Sequence, residues 1–340
     1  MEIIGVGDLH LDKLSKIFPD DHADVVIREF NKVIKHARDH SIKYIVQYGD
    51  ACETPFMSRE SRRALYRVLS ENNDIKFIFI LGNHDWGEEG IHSLDELSLL
   101  CDLGKFDNVK VVTKSTVISI EGVPLHLMPY PVRKTKPNHV NVAHVEINGF
   151  VGDNGRRIDC TDKFPEDTLL LTGHLHTPQS KDPWYCSGTL YQTNFGETKD
   201  KGFHHVKAKL SKSGRLVWEV DLIPNKPNFI LENLVIEKRS DLKQLKYDMS
   251  ILYKLFIKSD VLLPEDLQTR FPNIEKIVGY KDAKSLKQVM EKMLVLEDDE
   301  SLAYKPTEYL KDFLVSKGAT SVQVKRAMQI ASDKLGIKLN

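Results

Sequence analysis

The sequence predicts an α/β chain of two packed sheets flanked by helices, followed by a small α+β domain and a terminal helical pair. Three observations predict it. Strongly apolar runs alternate with amphipathic helical patterns over residues 1 to about 130, short strands with close turns crowd Val109 to Ile223, and the proline-bracketed Pro224-Asn225-Lys226-Pro227 marks a change of domain.

Ile3 to Val6, Tyr44 to Tyr48 and Phe77 to Leu81 carry consecutive apolar residues, as expected of strands covered on both faces. Between them, Ala23 to His40 gathers Val26, Phe30, Val33, Ile34 and Ala37 on one helical face, and Arg59 to Glu71 does the same with Leu65, Val68 and Leu69. Val111-Val112, Thr116 to Ile120, Leu125 to Met128, Leu169 to Thr172, Phe203 to Leu210 and Leu216 to Leu222 then read as a second, mainly antiparallel sheet. Past the prolines, Phe229 to Glu237 reads as a strand, and Asp241 to Lys258 and Ala283 to Leu294 as helices. The acidic run Glu297 to Glu300 beside Tyr304-Lys305-Pro306 reads as a solvated hinge. Thr307 to Lys317 and Ser321 to Leu335, closed by Gly318 and Gly336, form the expected helical pair. The divisions are thus 1–225, 228–296 and 305–340.

Composition narrows the class only modestly. A net charge of -1 over 340 residues argues against a globally basic nucleic-acid binder but leaves room for a local cationic groove. Cys52, Cys101, Cys160 and Cys186 are scattered without a CxxC pair, which suggests neither a disulfide framework nor a zinc knuckle; a reducing cytoplasm is the simplest setting. Met1 leads directly into a strand-like run, and no stretch approaches the roughly 20 apolar residues of a membrane span, so the expectation is a soluble, unprocessed protein without membrane contact.

Four short polar strings each follow a β-forming run: GDLH at Gly7 to His10, GD at Gly49 and Asp50, GNHD at Gly82 to Asp85, and GHLH at Gly173 to His176. That order places them at the C-terminal rim of a buried sheet, where open α/β folds assemble their sites. Asp8 and His10, two residues apart after a strand, can address one cation; alone, the pair reads equally well as a turn aspartate and an exposed histidine. Asp50 adds a carboxylate where Gly49 lets the chain turn sharply. Asn83 offers a neutral carbonyl oxygen, His84 a titratable imidazole, and Asp85 a carboxylate able to hold that imidazole in one tautomer. His174 and His176 follow at strand-end spacing, and Val142-Ala143-His144 contributes another ring. Each residue singly is ordinary; their joint occurrence points to a metal site of the two-metal phosphoesterase kind. Oxygen and imidazole donors without thiolate suit manganese, iron or zinc better than magnesium or calcium.

The order DxH, GD, GNHD, H, GHxH resembles the calcineurin-like metallophosphoesterases over roughly the first two thirds of the chain. Within them it looks most like the SbcD-type nuclease subunits of DNA recombination and repair, particularly the shorter versions of tailed bacteriophages. The DLHL opening, the stretch His144 to Phe150, and Ser187-Gly188-Thr189-Leu190 after GHLHT carry that narrower similarity. The resemblance implies a four-layer αββα sandwich with a C-terminal cap, and a DNA exo/endonuclease using two divalent ions, manganese in the family, for in-line attack of hydroxide on the phosphodiester. It implies Asp8, His10 and His176 on the first metal, Asn83, His144 and His174 on the second, and Asp50 bridging both. His84, outside that set, would stabilise or protonate the leaving sugar oxygen, with Asp85 orienting its ring. One departure stands out: where relatives read GDLFD or GDLFH, this chain has Gly49-Asp50-Ala51-Cys52-Glu53. Glu53 reads as a surface residue there, and Cys52 as a small buried filler.

The implied partners are DNA, an SbcC-like ABC-type ATPase with a coiled coil, and a second copy of the chain. Lys238, Arg239, Lys243, Lys246, Lys254 and Lys258 can contact phosphates or simply form a solvated helix face. Tyr309, Leu310, Phe313, Leu314, Val324, Met328, Ile330 and Leu335 must bury their apolar surface against their own domain or against the ATPase. Leu94, Leu97, Leu99 and Leu100 serve either a dimer or the ordinary core. Two other functions stay open: a small-molecule or cyclic-nucleotide phosphodiesterase, and a non-catalytic scaffold. Against the scaffold stands the complete donor set, which a degenerate site would have lost in part.

Overall fold

The computed structural model describes residues 1–153, 155–160 and 163–297. The apolar runs become β1 (Glu2–Val6), β2 (Tyr44–Gln47), β3 (Lys76–Ile80) and β4 (Val109–Val112), parallel neighbours in one sheet. They are apolar on both faces because both are covered. On one face lie α1 (His22–Asp39), α2 (Arg59–Glu71) and α3 (Asp95–Asp102), where Val26, Phe30, Val33, Leu65 and Leu97 pack with Ile4, Ile45, Phe77 and Phe79. The Ser58 hydroxyl caps α2 by accepting from the Ser61 amide at 3.1 Å.

The second sheet contains β5 (Thr116–Ile120), β6 (Val123–Met128), β7 (Val140–Ala143), β8 (Leu170–Thr172), β9 (Gln179–Lys181) and β10 (Trp184–Cys186), in the order β5-β6-β7-β8-β10-β9. It is not mainly antiparallel. β6, β7, β8 and β10 run parallel, and only the two edge pairs are antiparallel. The long segments after Met128 and Ala143 act as crossovers, which parallel neighbours require and hairpin-like strand lengths do not reveal. Nor do all the later strands belong here: β11 (Lys201–Leu210) and β12 (Leu216–Asn225) return antiparallel to β1, giving a first sheet ordered β12-β11-β1-β2-β3-β4. Pro224 lies within β12, an edge strand, where its missing N–H costs no ladder bond. Ile3, Val46, Ile78 and Ile80 meet Leu125, Leu127, Val140, Val142 and Leu171 between the sheets. Against the outer face of the second sheet lie Val145, Ile147, Phe150 and Phe164 from an irregular segment; among the described residues no helix covers it.

Beyond Pro227, β13 (Ile230–Ile236), β14 (Ile251–Lys258) and β15 (Ile274–Tyr280) form a parallel three-stranded sheet with α4 (Leu267–Arg270) and α5 (Ala283–Glu297). The helix expected over Asp241 to Lys258 is instead a short 3-10 turn, Arg239–Gln244, followed by β14. The buried run Leu252 to Ile257 is rich in aromatic and branched side chains and suits a covered strand. Lys254 within it is buried, its ammonium 5.1 Å from the Phe195 ring centroid, so it is not one of the surface cations; Lys238, Arg239, Lys243 and Lys246 are exposed. Phe229, Leu231 and Leu252 enter the same cluster as the helices of the first sheet. The hinge after Glu297 and the helical pair at 305–340 lie outside the described residues. Among those described, no helix is long and apolar enough to cross a membrane.

His204 of β11 is buried between the sheets near the rings of Tyr48 and Tyr185, and burial lowers its pKa from 6.5 to about 3. The unfolded chain therefore binds a proton that the folded chain refuses. That stability contribution is complete above 6.5 and is lost as pH falls from there toward 3. Denaturant unfolding of wild type and His204→Leu between pH 7 and 4 should differ in slope by about 1.4 kcal/mol per pH unit below the ordinary histidine pKa.

Candidate metal centre

Each polar string starts where its strand stops, so the ends of β1, β2 and β3 from one sheet face those of β7 and β8 from the other. The turns are tight enough to drive three non-glycine residues into left-handed backbone: His10 at φ 43°, Asp50 at 54° and His174 at 77°. Such conformations cost on the order of 1–3 kcal/mol each, although aspartate and histidine tolerate them better than most residues. Glycine is required just before the motifs. A Cβ at Gly82 would strike Asp50 Oδ1, and one at Gly173 would strike Asp8 Oδ1.

Two groups of donor atoms gather at this rim, each with its members within 4.8 Å of one another: Asp8, His10 and His176, and Asp50, His144 and His174. In the first, His10 Nε2 is 3.0 Å from His176 Nε2, and Asp8 Oδ2 lies 3.9 and 3.8 Å from these two nitrogens. In the second, Asp50 Oδ2 is 3.0 Å from His144 Nε2, while Asn83 Oδ1 sits 2.8 Å from that nitrogen and 3.1 Å from His174 Nδ1. Asp8 Oδ1 accepts from the His174 amide at 3.0 Å and approaches His144 Nδ1 at 3.8 Å, so the groups adjoin. All seven sequence-derived donors are thus brought together. Their chemistry fits divalent cations: Asp8 Oδ2 is buried without a hydrogen-bond partner, and the donors are oxygen and imidazole alone.

Electrostatics points the same way. Burial opposes charge on His144 and His176, yet carboxylates outweigh it: Asp50 and Asp8 raise His144 to about 9, and Asp153, Glu197 and Asp8 raise His176 to about 10. Burial works against the Asp50 carboxylate too, but the surrounding imidazoles hold its pKa below the ordinary range. His10, farther from compensating charge, is lowered by burial despite Glu53. The pocket carries more buried carboxylate than its imidazoles can neutralise without binding protons.

Asp85 does not orient His84. Its oxygens accept from the amides of Ala51 at 3.3 Å, Cys52 at 3.1 Å and Gly82 at 2.9 Å and from the Ser93 hydroxyl at 2.6 Å, so both are spent on the backbone that shapes the rim. Burial and the Asp50 charge push its pKa up to about 6. The His84 ring instead donates from Nδ1 to the Glu53 carbonyl at 3.1 Å. Glu53 is not a plain surface residue either. Its carboxylate lies 3.0 Å from His10 Nδ1 and 2.9 Å from the Lys13 ammonium, and against burial these neighbours lower its pKa to about 2. His10, Glu53 and His84 make a third gathering of donor atoms. Cys52 is fully buried, as its filler role requires, and burial lifts its thiol well above the usual range.

The sequence gave no sign of what steadies His176. Its Nδ1 lies 3.1 Å from Glu197 Oε1, 3.2 Å from the Thr193 hydroxyl and 3.3 Å from Asp153 Oδ2, and its amide donates to Asp153 at 3.0 Å. The buried Lys201 ammonium binds Glu197 at 2.7 Å and the His176 carbonyl at 3.0 Å. Ser187 to Leu190 packs alongside, Thr189 donating to that same carbonyl. A carboxylate on the far ring nitrogen of a metal-ligating histidine fixes its tautomer and strengthens it as a ligand.

Residues 1–178 match the profile of the family described as calcineurin-like phosphoesterase. A curated relative, exonuclease subunit 1 of Enterobacteria phage T4, is 25% identical over 225 aligned residues, which cover 60% of this chain and 63% of the relative. The chain thus spans less than two thirds of that relative's length.

Asp85→Ala should strand backbone donors from three strand ends at once. Denaturant unfolding is expected to show a loss of about 3 kcal/mol, with a buried, unpaired amide costing about 1–3 kcal/mol. A loss under 1 kcal/mol would mean that the rim holds its shape without this carboxylate.

Proposed function

The chain belongs to the calcineurin-like phosphoesterase family, and from that premise we propose that it is a manganese-dependent DNA exo/endonuclease subunit. In this reading it works with an SbcC-like ATPase and as a homodimer. The observation that carries the chemistry is the pair of adjoining donor groups at one rim. Support for a nucleic-acid substrate comes from the exonuclease name of the phage relative and from the motif order. That relative is named as a subunit, which favours a partner protein.

Asp8, His10 and His176 would hold one cation, Asn83, His144 and His174 the other, and Asp50 would serve both. Two divalent ions so bound polarise a phosphodiester and make hydroxide available at neutral pH. His84 is the group kept for the leaving oxygen. Its Nδ1 proton is committed to the Glu53 carbonyl, so Nε2 is the nitrogen that faces the task of delivering a proton. Glu53, paired to both His10 and Lys13, holds the first donor group from behind, and Glu197 does so for His176. For the dimer, Leu94 and Leu97 are consumed by the core, which leaves the exposed Leu99 and Leu103 of the α3 end as its apolar surface. The ATPase would be met by the helical pair at 305–340.

Purified protein with manganese should degrade end-labelled duplex or single-stranded DNA in preference to a chromogenic phosphodiester. Vigorous ester turnover with untouched DNA would instead assign a small-molecule phosphodiesterase. His84→Ala should keep both manganese ions by calorimetry while hydrolysis falls about 10²- to 10⁴-fold. Asp50→Ala should lose the paired site and the activity together. Equal loss of metal by both variants would remove the distinction between ligand and proton donor.

A further inference from the structure

Far from the rim, three histidines and a glutamate meet where α1 ends against β1 and β11. His36 and His40, one helical turn apart on α1, stack at 4.1 Å between ring centroids, and His205 of β11 stands 5.5 and 5.6 Å from them. Imidazoles bound to one ion through metal–nitrogen bonds of about 2.0–2.1 Å have centroids roughly 5 Å apart in tetrahedral geometry. Glu2 of β1 completes the group, its carboxylate 2.7 Å from His205 Nε2. Six residues of nearly extended chain, roughly 20 Å, separate Glu2 from Asp8, so this cluster shares no side chain with the rim.

We propose that His36, His40, His205 and Glu2 form a separate binding site for one transition-metal ion of the zinc, cobalt or nickel class. The free valences are present. His36 Nε2 is buried without a hydrogen-bond partner, and His40 donates from Nδ1 to the His36 carbonyl at 2.9 Å, which leaves the lone pair on Nε2. The rings are less tightly gathered than the rim donors, and His40, exposed at the helix end, has room to adjust. Charge favours a cation here: Glu2 and Asp39 supply carboxylates, and the carbonyl end of an eighteen-residue helix points at the site. Burial, then the two neighbouring imidazoles, hold the His36 pKa below its ordinary value, so that ring is neutral as a ligand must be. Three imidazoles and one carboxylate exclude calcium and magnesium, which need mostly oxygen donors. An ion here would tie the C-terminal turn of α1 to two strands of the first sheet.

Equilibrium dialysis of the full chain against zinc, read by elemental analysis, tests the site whatever the rim binds. His36→Ala/His40→Ala should hold one ion fewer per chain than wild type, and alanine, the best helix former, keeps α1 intact. Asp50→Ala should retain that ion. Glu2→Gln and His205→Gln should each weaken it at least tenfold, and wild type should gain a few degrees in Tm with zinc that the double variant does not. An unchanged ion count in the double variant would overturn the proposal. Unchanged affinity in both Glu2→Gln and His205→Gln would also overturn it, since a bare helix pair would then account for the binding. Loss of every ion in Asp50→Ala would do the same.

Discussion

The rim depends on a division of labour within each aspartate: one oxygen is tied to the backbone of a neighbouring strand end, and the other is left to face inward. Asp8 Oδ1 takes the His174 amide and Oδ2 has no partner; Asp50 Oδ1 takes the His84 amide at 2.9 Å and Oδ2 meets His144. Each such bond joins two polar strings remote in sequence, so the donors cannot assemble unless both sheets are in register. The glycines before Asn83 and His174 follow from the same contacts, because the carboxylates occupy the space of their missing side chains. Asp85 shows the other limit. With both oxygens saturated by donors it shapes the rim and offers nothing to a cation.

This arrangement is stable only if something balances the buried charge. Carboxylates crowd the donors: Asp8 and Asp50 among them, with Glu53, Asp153 and Glu197 behind. Lys13 and the fully buried Lys201 offset the outer pair, each by a direct ion pair. The inner two have only imidazoles, which is why His144 and His176 hold protons so firmly. Metal and proton compete for these sites, and the left-handed backbone at His10, Asp50 and His174 is strain retained where binding can offset it.

Periodicity made the first sheet, its helices and the location of the site readable, since β1 to β3 are apolar on both faces and polar strings interrupt them at one end. What escaped reading is non-local. Whether β7 lies parallel to β6 is decided by a crossover, and β11 reveals its partner β1 only in three dimensions. The run Ile251 to Lys258 suits helix or strand equally until its burial is known. Among site residues, Asp85 and Glu53 exchange their expected characters for one reason: sequence adjacency to His84 and Cys52 says nothing about which way a side chain points from a turn. Glu197, four residues before Lys201, carried a faint signal as an i,i+4 pair of opposite charges, but nothing tied it to His176.

The three-stranded sheet bears on the metal centre through one side chain. Gln192 accepts from the Leu231 amide at 3.0 Å and donates to the Leu231 carbonyl at 3.1 Å and the Glu197 carbonyl at 2.9 Å, so β13 is bonded to the loop that presents Glu197 to His176. Phe229 and Leu231 anchor that strand in the helix-side core, with the Phe229 ring edge-on to Phe18 and tilted over Tyr191. Tyr191 in turn donates its hydroxyl to the Leu9 carbonyl at 2.6 Å, between Asp8 and His10. A displacement of β13 therefore reaches both sides of the first donor group, through Glu197 on one and the Leu9 backbone on the other. A domain joined by a flexible tether would leave those distances unchanged, whereas this one is built into the support of the site, so substrate pressing on it acts on the ligands themselves.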